Sequence, residues 1–317
     1  MSPLETLVGE RTVPDLWHEN YWFRRHEAAY LRLAPLLAET AGDGGVVVEA
    51  GAGEGYGTGL LRAAGCGRIV ALDYDAASVR HGAGRYPAAA WSRGNLARLP
   101  LAACSVAAIS SFQVIEHLWT PWEFLAECAR VLRPGGALVV TTPNRPVFSP
   151  GVAQQERPPN PYHVREFDAE ELRETVAAHL AVEAVLGVVH GARLRAWEAR
   201  QGDVVAAQLR TPPTEWGPEL TAIVASTTAA DFELAPLWPT PRAAEAAALT
   251  ASADTATRPT LPINAVTSPT LAADAVAGRT AVSKPATGST DGPAAAASAD
   301  EVPPVHDLVV IARRVGA

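Results

Sequence analysis

The sequence predicts an α/β fold in which a mostly parallel sheet carries helices on both faces. Short apolar runs alternate with helical patterns between residues 46 and 144, an order typical of parallel sheets whose crossovers are helices. The run VVVEA at 46–50 leads directly into the glycine-rich stretch GAGEGYG at 51–57. A continuous β-branched run indicates a strand that is buried on both faces of such a sheet.

The glycine-rich stretch has the properties of a ligand-binding loop. Gly51, Gly53 and Gly55 allow a tight turn and a close approach to a ligand, and the helix that follows offers its N-terminal amides. The next apolar run, RIVALD at 68–73, ends in Asp73. A carboxylate at the tip of the second strand can accept hydrogen bonds from both hydroxyls of a ribose. The order of these features predicts a cofactor that contains a nucleoside.

Further elements follow from local patterns. Residues 17–39 carry aromatic, arginine and leucine residues at helical spacing, which predicts one or two helices before the first strand. TPWE at 120–123 and DAEE at 168–171 each predict a helix start with a capping box. AVEAVLGVVHG at 181–191 predicts a sixth strand, and HDLVVIARR at 306–314 predicts the last strand.

The segment before that last strand differs in composition from the rest of the chain. Ala, Thr, Pro and Ser make up 40 of the 60 residues in 241–300, and none of these residues is aromatic. Such a segment buries too little apolar surface to offset the entropy cost of ordering it. We therefore expect 241–304 to be a disordered excursion, from which 305–317 returns to complete the sheet.

Charge and composition exclude several classes of protein. A net charge of -8 argues against nucleic acid or an anionic membrane as the main partner. The only lysine is Lys284, so the predicted fold contains neither a P-loop nor a Schiff-base lysine. We expect a cytoplasmic enzyme, because the chain shows no signal-peptide pattern and no run of 18 apolar residues.

Four segments resemble the class I methyltransferases that use S-adenosylmethionine. They are VVVEAGAGEGYGTG at 46–59, GNLARLPL at 94–101, AISSFQVIEHL at 108–118 and RVLRPGGALVVTTPN at 130–144. The resemblance implies a Rossmann-like sheet of seven strands with an antiparallel last strand, and S-adenosylmethionine as cofactor. Two alternatives use the same arrangement: a nicotinamide-dependent oxidoreductase, and a non-catalytic protein that keeps the cofactor fold.

The resemblance also implies which residues bind the cofactor. Glu49 would hold the cationic methionine end, since a carboxylate attracts a sulfonium and an ammonium group, and Asn95 and Leu96 would flank the adenine. The full predicted set is Glu49, Gly51, Gly53, Gly55, Asp73, Tyr74, Asn95, Leu96 and Gln113.

Four other segments suggest the acceptor, because they are more specific than the cofactor motifs. They lie at 9–30, 142–151, 160–167 and 189–202. They resemble an actinobacterial branch that contains the sugar O-methyltransferases of mycobacterial methylglucose lipopolysaccharide biosynthesis. The resemblance implies a saccharide hydroxyl as acceptor, a helical cap at 1–40 over the active site, and a catalytic domain at 41–240 with acceptor loops around 142–202. A quinone precursor or a carboxylate is the alternative acceptor.

A hydroxyl acceptor requires a base, because a protonated alcohol is a poor nucleophile. His117 follows the fourth strand at the carboxyl edge of the sheet, where ligands bind in open α/β folds. His163, in the loop after the fifth strand, is the second candidate. In the alternative interpretation, His117 caps the next helix or orients Glu116. Glu116 and His117 also resemble a divalent-ion pair of related enzymes, but two adjacent ligands are too few to predict a metal.

The acceptor site is predicted to combine aromatic rings with many hydrogen-bonding groups. Rings suit the apolar face of a sugar, and arginines suit an acidic substituent. The alternatives without acceptor binding are a helix that docks on the domain through its aromatic side chains and a hydrated polar loop. The predicted set is Tyr21, Trp22, Arg25, Asn144, Arg145, Arg165, Glu166, His190 and Arg193.

Overall fold

An eight-stranded sheet forms the centre of the structure, a computed structural model that describes residue 12 and residues 16–238 and 304–316. The strands are β1 (Val46–Ala50), β2 (Arg68–Asp73), β3 (Ala90–Arg93), β4 (Val106–Phe112), β5 (Leu132–Pro143), β6 (Ala181–His190), β7 (Phe232–Pro236) and β8 (Val305–Arg313). Their order across the sheet is β3-β2-β1-β4-β5-β8-β6-β7.

The parallel part of the sheet matches the prediction. β1 to β5 pair in parallel, with Val48 opposite Val70 on one side and Ile109 on the other. The predicted mostly parallel α/β fold is therefore confirmed, but the predicted number of seven strands is wrong. The additional strand, β7, pairs antiparallel with the outer side of β6. It is a short edge strand with mixed burial, so it lacks the apolar run that marks the central strands.

The helices occupy both faces of the sheet. They are α1 (Asn20–Ala41), α2 (Tyr56–Ala63), α3 (Ala76–Arg85), α4 (Pro121–Val131), α5 (Arg145–Phe148), α6 (Ala169–Ala177), α7 (Ala192–Gln201), α8 (Val204–Arg210) and α9 (Pro218–Ser226). Alternate strand residues point to opposite faces, so Val47 packs in the core with α1, α2 and α7 to α9, while Val48 packs in a second core with α4 and α6.

The last strand lies in the middle of the sheet. Val310 on β8 is opposite Val140 on β5 and Val185 on β6, and both pairings are antiparallel. All described residues belong to one compact unit that includes the segment after 303. The prediction of an antiparallel last strand beside the sixth is thus confirmed. The predicted excursion at 241–304 lies outside the described residues, apart from residue 304.

One of the two predicted capping boxes forms. At α6, the Asp168 side chain accepts from the Glu171 amide, and the Glu171 carboxylate accepts from the Asp168 amide, both at 2.9 Å. At α4 the helix begins at Pro121 as predicted, but the box is wrong, since the Thr120 hydroxyl donates to the Glu123 carboxylate instead. Thr120 has ψ 67°, away from the extended value of 175° at Asp168.

Candidate active site

The glycine loop between β1 and α2 fits closely against its surroundings. Gly51 has φ +83°, and a Cβ there would lie 2.5 Å from a methyl group of Val114. Gly55 has φ +82°, and its Cβ would lie 2.8 Å from the ring of Tyr86. Gly53, at φ +50°, borders open space. The loop therefore needs glycine for its backbone conformation, and at two positions also for lack of room.

Asp73, at the end of β2, contacts the glycine loop directly. Its carboxylate accepts from the Gly53 amide at 2.7 Å and from the Asp75 amide at 2.8 Å. The structure thus brings together the loop and the acid that the sequence placed at the ribose. Tyr74 is 71% exposed, and the Arg93 guanidinium lies 5.3 Å from its ring centroid. The cofactor contacts of both residues stay predictions.

Glu49 lies beneath the loop rather than in the open. It is 1% exposed and accepts hydrogen bonds from Tyr30 of α1, at 2.8 Å, and from Thr58 of α2. Burial raises the pKa of Glu49 to about 7. A Cβ at Gly57 would lie 2.1 Å from its carboxylate. Sequence reasoning missed Tyr30, Thr58 and Gly57, although GTG after the loop signalled close packing of α2.

The remaining predicted cofactor residues lie at the ends of β3 and β4. Asn95 accepts from the Ala97 amide at 2.9 Å and Leu96 is buried. Gln113 is a non-glycine residue at φ +56°, held by hydrogen bonds from its amide and side chain to Thr141. A left-handed residue costs on the order of 1–3 kcal/mol, and such strain is concentrated at functional sites. The exit of β4 is therefore strained where the sequence predicts ligand binding.

Both predicted catalytic histidines meet at the exit of β4. Ligand atoms of Glu116, His117 and His163 all lie within 4.8 Å of one another. The two imidazole centroids are 5.0 Å apart. Glu116 and His163 are buried and His117 is half-buried, so the group opens to solvent on the His117 side. The structure thus joins a strand exit and a distant loop into one cluster.

Hydrogen bonds fix the same tautomer in both histidines. His117 Nδ1 lies 3.0 Å from the carbonyl oxygen of Tyr162, which can only accept, so this nitrogen carries the proton. His163 Nδ1 donates likewise to Glu166 at 2.6 Å, and Asn160 donates to His163 Nε2 at 3.2 Å. Each histidine, when neutral, therefore has its lone pair on Nε2.

The loop that carries His163 is attached to Glu116 by the backbone. The amides of Val164 and Arg165 both donate to the Glu116 carbonyl oxygen, at 2.8 and 3.2 Å. The Glu116 carboxylate accepts from Thr142 at 3.0 Å, and burial raises the pKa of this carboxyl. Arg165 is half-buried, and Glu166 is 2% exposed. These backbone bonds hold the loop that follows β5 against the exit of β4.

Tyr21 and His190 have internal partners. Tyr21 is 0% exposed, and its hydroxyl lies 2.6 Å from His190 Nε2. His190 Nδ1 lies 2.9 Å from the Glu198 carboxylate and its ring stacks on His306 at 3.9 Å. The hydrogen-bonded chain links α1, β6 and α7. These two residues belong to the interior, so the structure favours the helix-docking interpretation for Tyr21.

Arg25 and Asp307 form a buried ion pair at the same edge. The guanidinium Nε lies 3.0 Å from an Asp307 carboxylate oxygen, with side-chain exposures of 5% and 1%. Arg25 also lies 5.1 Å from the Trp22 ring and 4.8 Å from the Phe148 ring. Burial raises the pKa of Asp307 to about 6, although Arg25 opposes the rise. Sequence reasoning missed Asp307, whose signal was a lone acid ahead of the apolar run LVVIA.

Three other predicted acceptor residues fasten loops to the fold. Asn144 donates to the Val305 carbonyl at 2.7 Å. Arg145 donates to Asp168 and Glu171 at the start of α6, at 2.7 and 2.6 Å. Arg193 pairs with both carboxylate oxygens of Asp231, at 2.7 and 2.6 Å. These internal contacts give each of the three side chains a structural role that needs no ligand. That is the alternative to their predicted role in binding the acceptor.

Comparisons with known proteins place these features in context. Residues 48–140 match the family described as Methyltransferase domain. A probable S-adenosylmethionine-dependent methyltransferase of Mycolicibacterium smegmatis is 49% identical over 234 residues, which cover 73% of this chain and 88% of the relative. A protein of the same description from Mycobacterium tuberculosis H37Rv is 49% identical over 233 residues, covering 72% and 82%.

A methyltransferase structure from Thermotoga maritima is similar over 92% of both chains, with 15% identity and a TM-score of 0.47. Among the helices in the described part of the chain, none combines the length and the apolar character needed to cross a membrane.

Proposed function

The chain belongs to the S-adenosylmethionine-dependent methyltransferases, and on that premise we propose that it methylates a hydroxyl group of a saccharide. The observation that carries the proposal is the cluster at the exit of β4, where His117 and His163 both have Nε2 as the lone-pair nitrogen. The family supplies the methyl donor. The cluster supplies a group able to take the proton of a hydroxyl.

Methyl transfer to a hydroxyl breaks the bond between sulfur and the methyl carbon and forms a bond from that carbon to the acceptor oxygen. The thioether leaves with the electron pair of the broken bond, and the hydroxyl proton passes to an imidazole Nε2. His117 is the first candidate because it is the half-buried member of the cluster. His163 is the second, with Glu166 behind it to stabilise the protonated ring.

The proposed position of the cofactor follows from the residues at the ends of β1, β2 and β4. The glycine loop and Asp73 lie at the ends of β1 and β2, and the strained Gln113 lies at the end of β4. In this arrangement Asp73 would hold the nucleoside, and Glu49 and Gln113 would lie at the methionine end. The histidine cluster begins three residues after Gln113 in the chain, so its imidazoles are the groups that would take the acceptor proton.

Exposed aromatic rings near His117 support a saccharide acceptor. Trp119 is 81% exposed and Tyr162 is 54% exposed, and the Tyr162 carbonyl is the hydrogen-bond partner of His117. Trp122, at the start of α4, is 48% exposed. Exposed aromatic rings suit the apolar faces of sugar rings. The polar loop at 160–167 offers donors and acceptors for the hydroxyls.

The test is an acceptor screen with S-adenosylmethionine labelled in the methyl group. The panel contains glucosylglycerates, short glucans, methylmannosides, quinone precursors and simple carboxylates. The proposal expects label in a saccharide, stable to mild base as an ether. His117→Gln should lower turnover by about 10²–10⁴-fold with unchanged binding of S-adenosylhomocysteine, while the half-buried His179→Gln serves as matched control.

Transfer to a quinone precursor or a carboxylate alone would contradict the saccharide acceptor. If His117→Gln keeps its turnover and His163→Gln loses it, the base is His163. If both variants retain full turnover on a saccharide, the cluster does not activate the hydroxyl.

A further inference from the structure

We infer that Asp307 and Arg25 together bind two neighbouring hydroxyl groups of a neutral acceptor, which makes Asp307 a specificity-determining residue. The inference rests on the proposed function and adds which saccharides fit the site. Asp307 lies near the start of β8, and Arg25 lies near the start of α1. Arg25 Nε is 3.0 Å from a carboxylate oxygen of Asp307. The fold therefore brings a cation and an anion from distant parts of the chain to one point.

This pair has unused hydrogen-bonding capacity in a buried place. Arg25 and Asp307 are 4% and 1% exposed. Beyond their charge contact, Nε and Nη1 of Arg25 and both carboxylate oxygens of Asp307 have no well-formed hydrogen bond among the described residues. Buried polar groups are almost always hydrogen-bonded, and a buried group that lacks a partner is costly. These atoms therefore point to a ligand that binds between them.

The pair lies one strand away from the histidine cluster. Asp307 is opposite Pro143, the last residue of β5. Thr142, the residue before it, donates to the Glu116 carboxylate at 3.0 Å. Neighbouring strands are about 4.7–4.9 Å apart. A sugar that is held by the pair can therefore present another of its hydroxyls to the histidines.

Two aromatic rings cover the pair. Trp22 and Phe148 are both half-buried, and their ring centroids are 6.1 Å apart. The Arg25 guanidinium lies 5.1 Å from the Trp22 ring centroid and 4.8 Å from that of Phe148. Rotation of these side chains would open the pair to an acceptor. The rings would then lie against the apolar face of the sugar, for which aromatic side chains are suited.

The charges of the pair determine which acceptors fit. The sequence suggested an acidic substituent as the partner of the arginines in this region. Because Asp307 already neutralises Arg25, the pair has no net charge that would attract an acid, and the Asp307 carboxylate would repel one. A hydroxyl group can donate to Asp307 and accept from Arg25. The pair therefore favours a neutral sugar over an acidic one.

The test compares neutral and acidic acceptors in matched pairs. Methyl glucoside is compared with methyl glucuronide, and a short glucan with the same glucan oxidised to a carboxylate. Both kcat and KM are measured at pH 8, above the pKa of Asp307, which burial raises to about 6. Asp307→Asn should raise KM for the neutral acceptors by about 10–100-fold, the value of one or two hydrogen bonds to a charged group, with little change in kcat.

The same variant should change the preference between the two members of each pair. Asp307→Asn leaves the Arg25 cation without its counter-charge, so kcat/KM should shift toward the acidic member by at least about 10-fold. Arg25→Met should lose affinity for the neutral acceptor without gaining any for the acid. The exposed Asp43→Asn is the matched control and should behave like the wild type. Circular dichroism confirms that each variant is folded.

The binding of S-adenosylhomocysteine separates an acceptor site from a cofactor site. Calorimetry should give the same Kd for Asp307→Asn as for the wild type. Weaker binding in both Asp307→Asn and Arg25→Met would assign the pair to the cofactor and overturn the inference.

Activity distinguishes failure of the inference from failure of the proposed function. If the wild type methylates a saccharide and Asp307→Asn keeps the wild-type KM and preference, the proposed function stands and the pair is only structural. If the wild type transfers the label to no saccharide, the proposed function and the inference both fall.

Discussion

The Tyr30 hydroxyl donates a hydrogen bond of 2.8 Å to the Glu49 carboxylate, which connects α1 to the end of β1 below the glycine loop. Thr58 at the start of α2 donates to the other oxygen of the same carboxylate. Three elements that surround the predicted cofactor site therefore meet at one buried acid. Because Glu49 is 1% exposed, its charge is costly even with both partners in place.

This acid predicts a pH dependence of stability. The pKa of Glu49 rises from 4.5 to about 7 on folding, mainly through burial. The folded state thus holds the proton more tightly than the unfolded chain, so this contribution is complete below about pH 4.5 and disappears as the pH rises through about 7. Urea unfolding of the wild type should show a fall of about 3 kcal/mol across that range.

Glu49→Gln should flatten the curve, and the exposed Glu219→Gln is the matched control. A variant with the same pH slope as the wild type would show that another group titrates. Asp307 contributes in the same direction, because burial raises the pKa of that carboxyl as well.

The position of Asp73 predicts that its carboxylate contributes to the affinity for the cofactor. It is the acid that contacts the Gly53 amide, and we expect it to accept from the ribose. Asp73→Ala should weaken the binding of S-adenosylhomocysteine by about 10–100-fold, the value of one or two hydrogen bonds to a charged group. Isothermal titration calorimetry measures the effect, with the exposed Asp43→Ala as control. An unchanged Kd in Asp73→Ala would mean that the residue only shapes the loop.

The Arg25–Asp307 pair predicts a stability loss that depends on pH. Arg25 is the cation that opposes the rise in the pKa of Asp307, which is about 6. Removing the guanidinium raises the pKa of Asp307 further, so at pH 8 the variant either buries an uncompensated carboxylate or must bind a proton, whereas at pH 5 the acid is largely protonated with or without Arg25. Arg25→Met should therefore lose more stability at pH 8 than at pH 5, by about 1–2 kcal/mol.

The double variant Arg25→Met/Asp307→Asn should remove this difference, and the exposed Arg85→Met should cost little at either pH. An equal loss at both pH values in the single variant would show that Arg25 stabilises through its packing on Trp22 and Phe148 alone.

The parts of the site that were predictable are those set by local sequence. The strand, the glycine loop and Asp73 follow one another in the chain, and the resulting contact from Gly53 to Asp73 needs no long-range information. The meeting of Glu116 with His163 was not predictable, since it depends on the path of a loop that hydrogen-bonds back to the strand exit. Asp307 was missed because its partner Arg25 lies near the other end of the chain.

The directions of the aromatic side chains on α1 were also not predictable from the sequence. Tyr21, Trp22 and Phe23 follow one another on α1, and a helix turns each of them in a different direction. Tyr21 therefore points inward to His190, while Trp22 is half-buried beside Arg25. Periodicity alone does not say which of the three faces the core.

The position of β8 gives the last prediction. β8 lies between β5 and β6, although the segment before it is predicted to be a disordered excursion. Replacing 241–304 by a short Gly/Ser bridge should leave a folded chain that still binds S-adenosylhomocysteine, because loop closure costs grow only logarithmically with length. Truncation after residue 240 should instead aggregate, since it removes the central strand and leaves β5 and β6 with unpaired edges. Size-exclusion chromatography and calorimetry of both proteins decide the matter. A monodisperse truncated chain with unchanged affinity would show that β8 is dispensable for the fold.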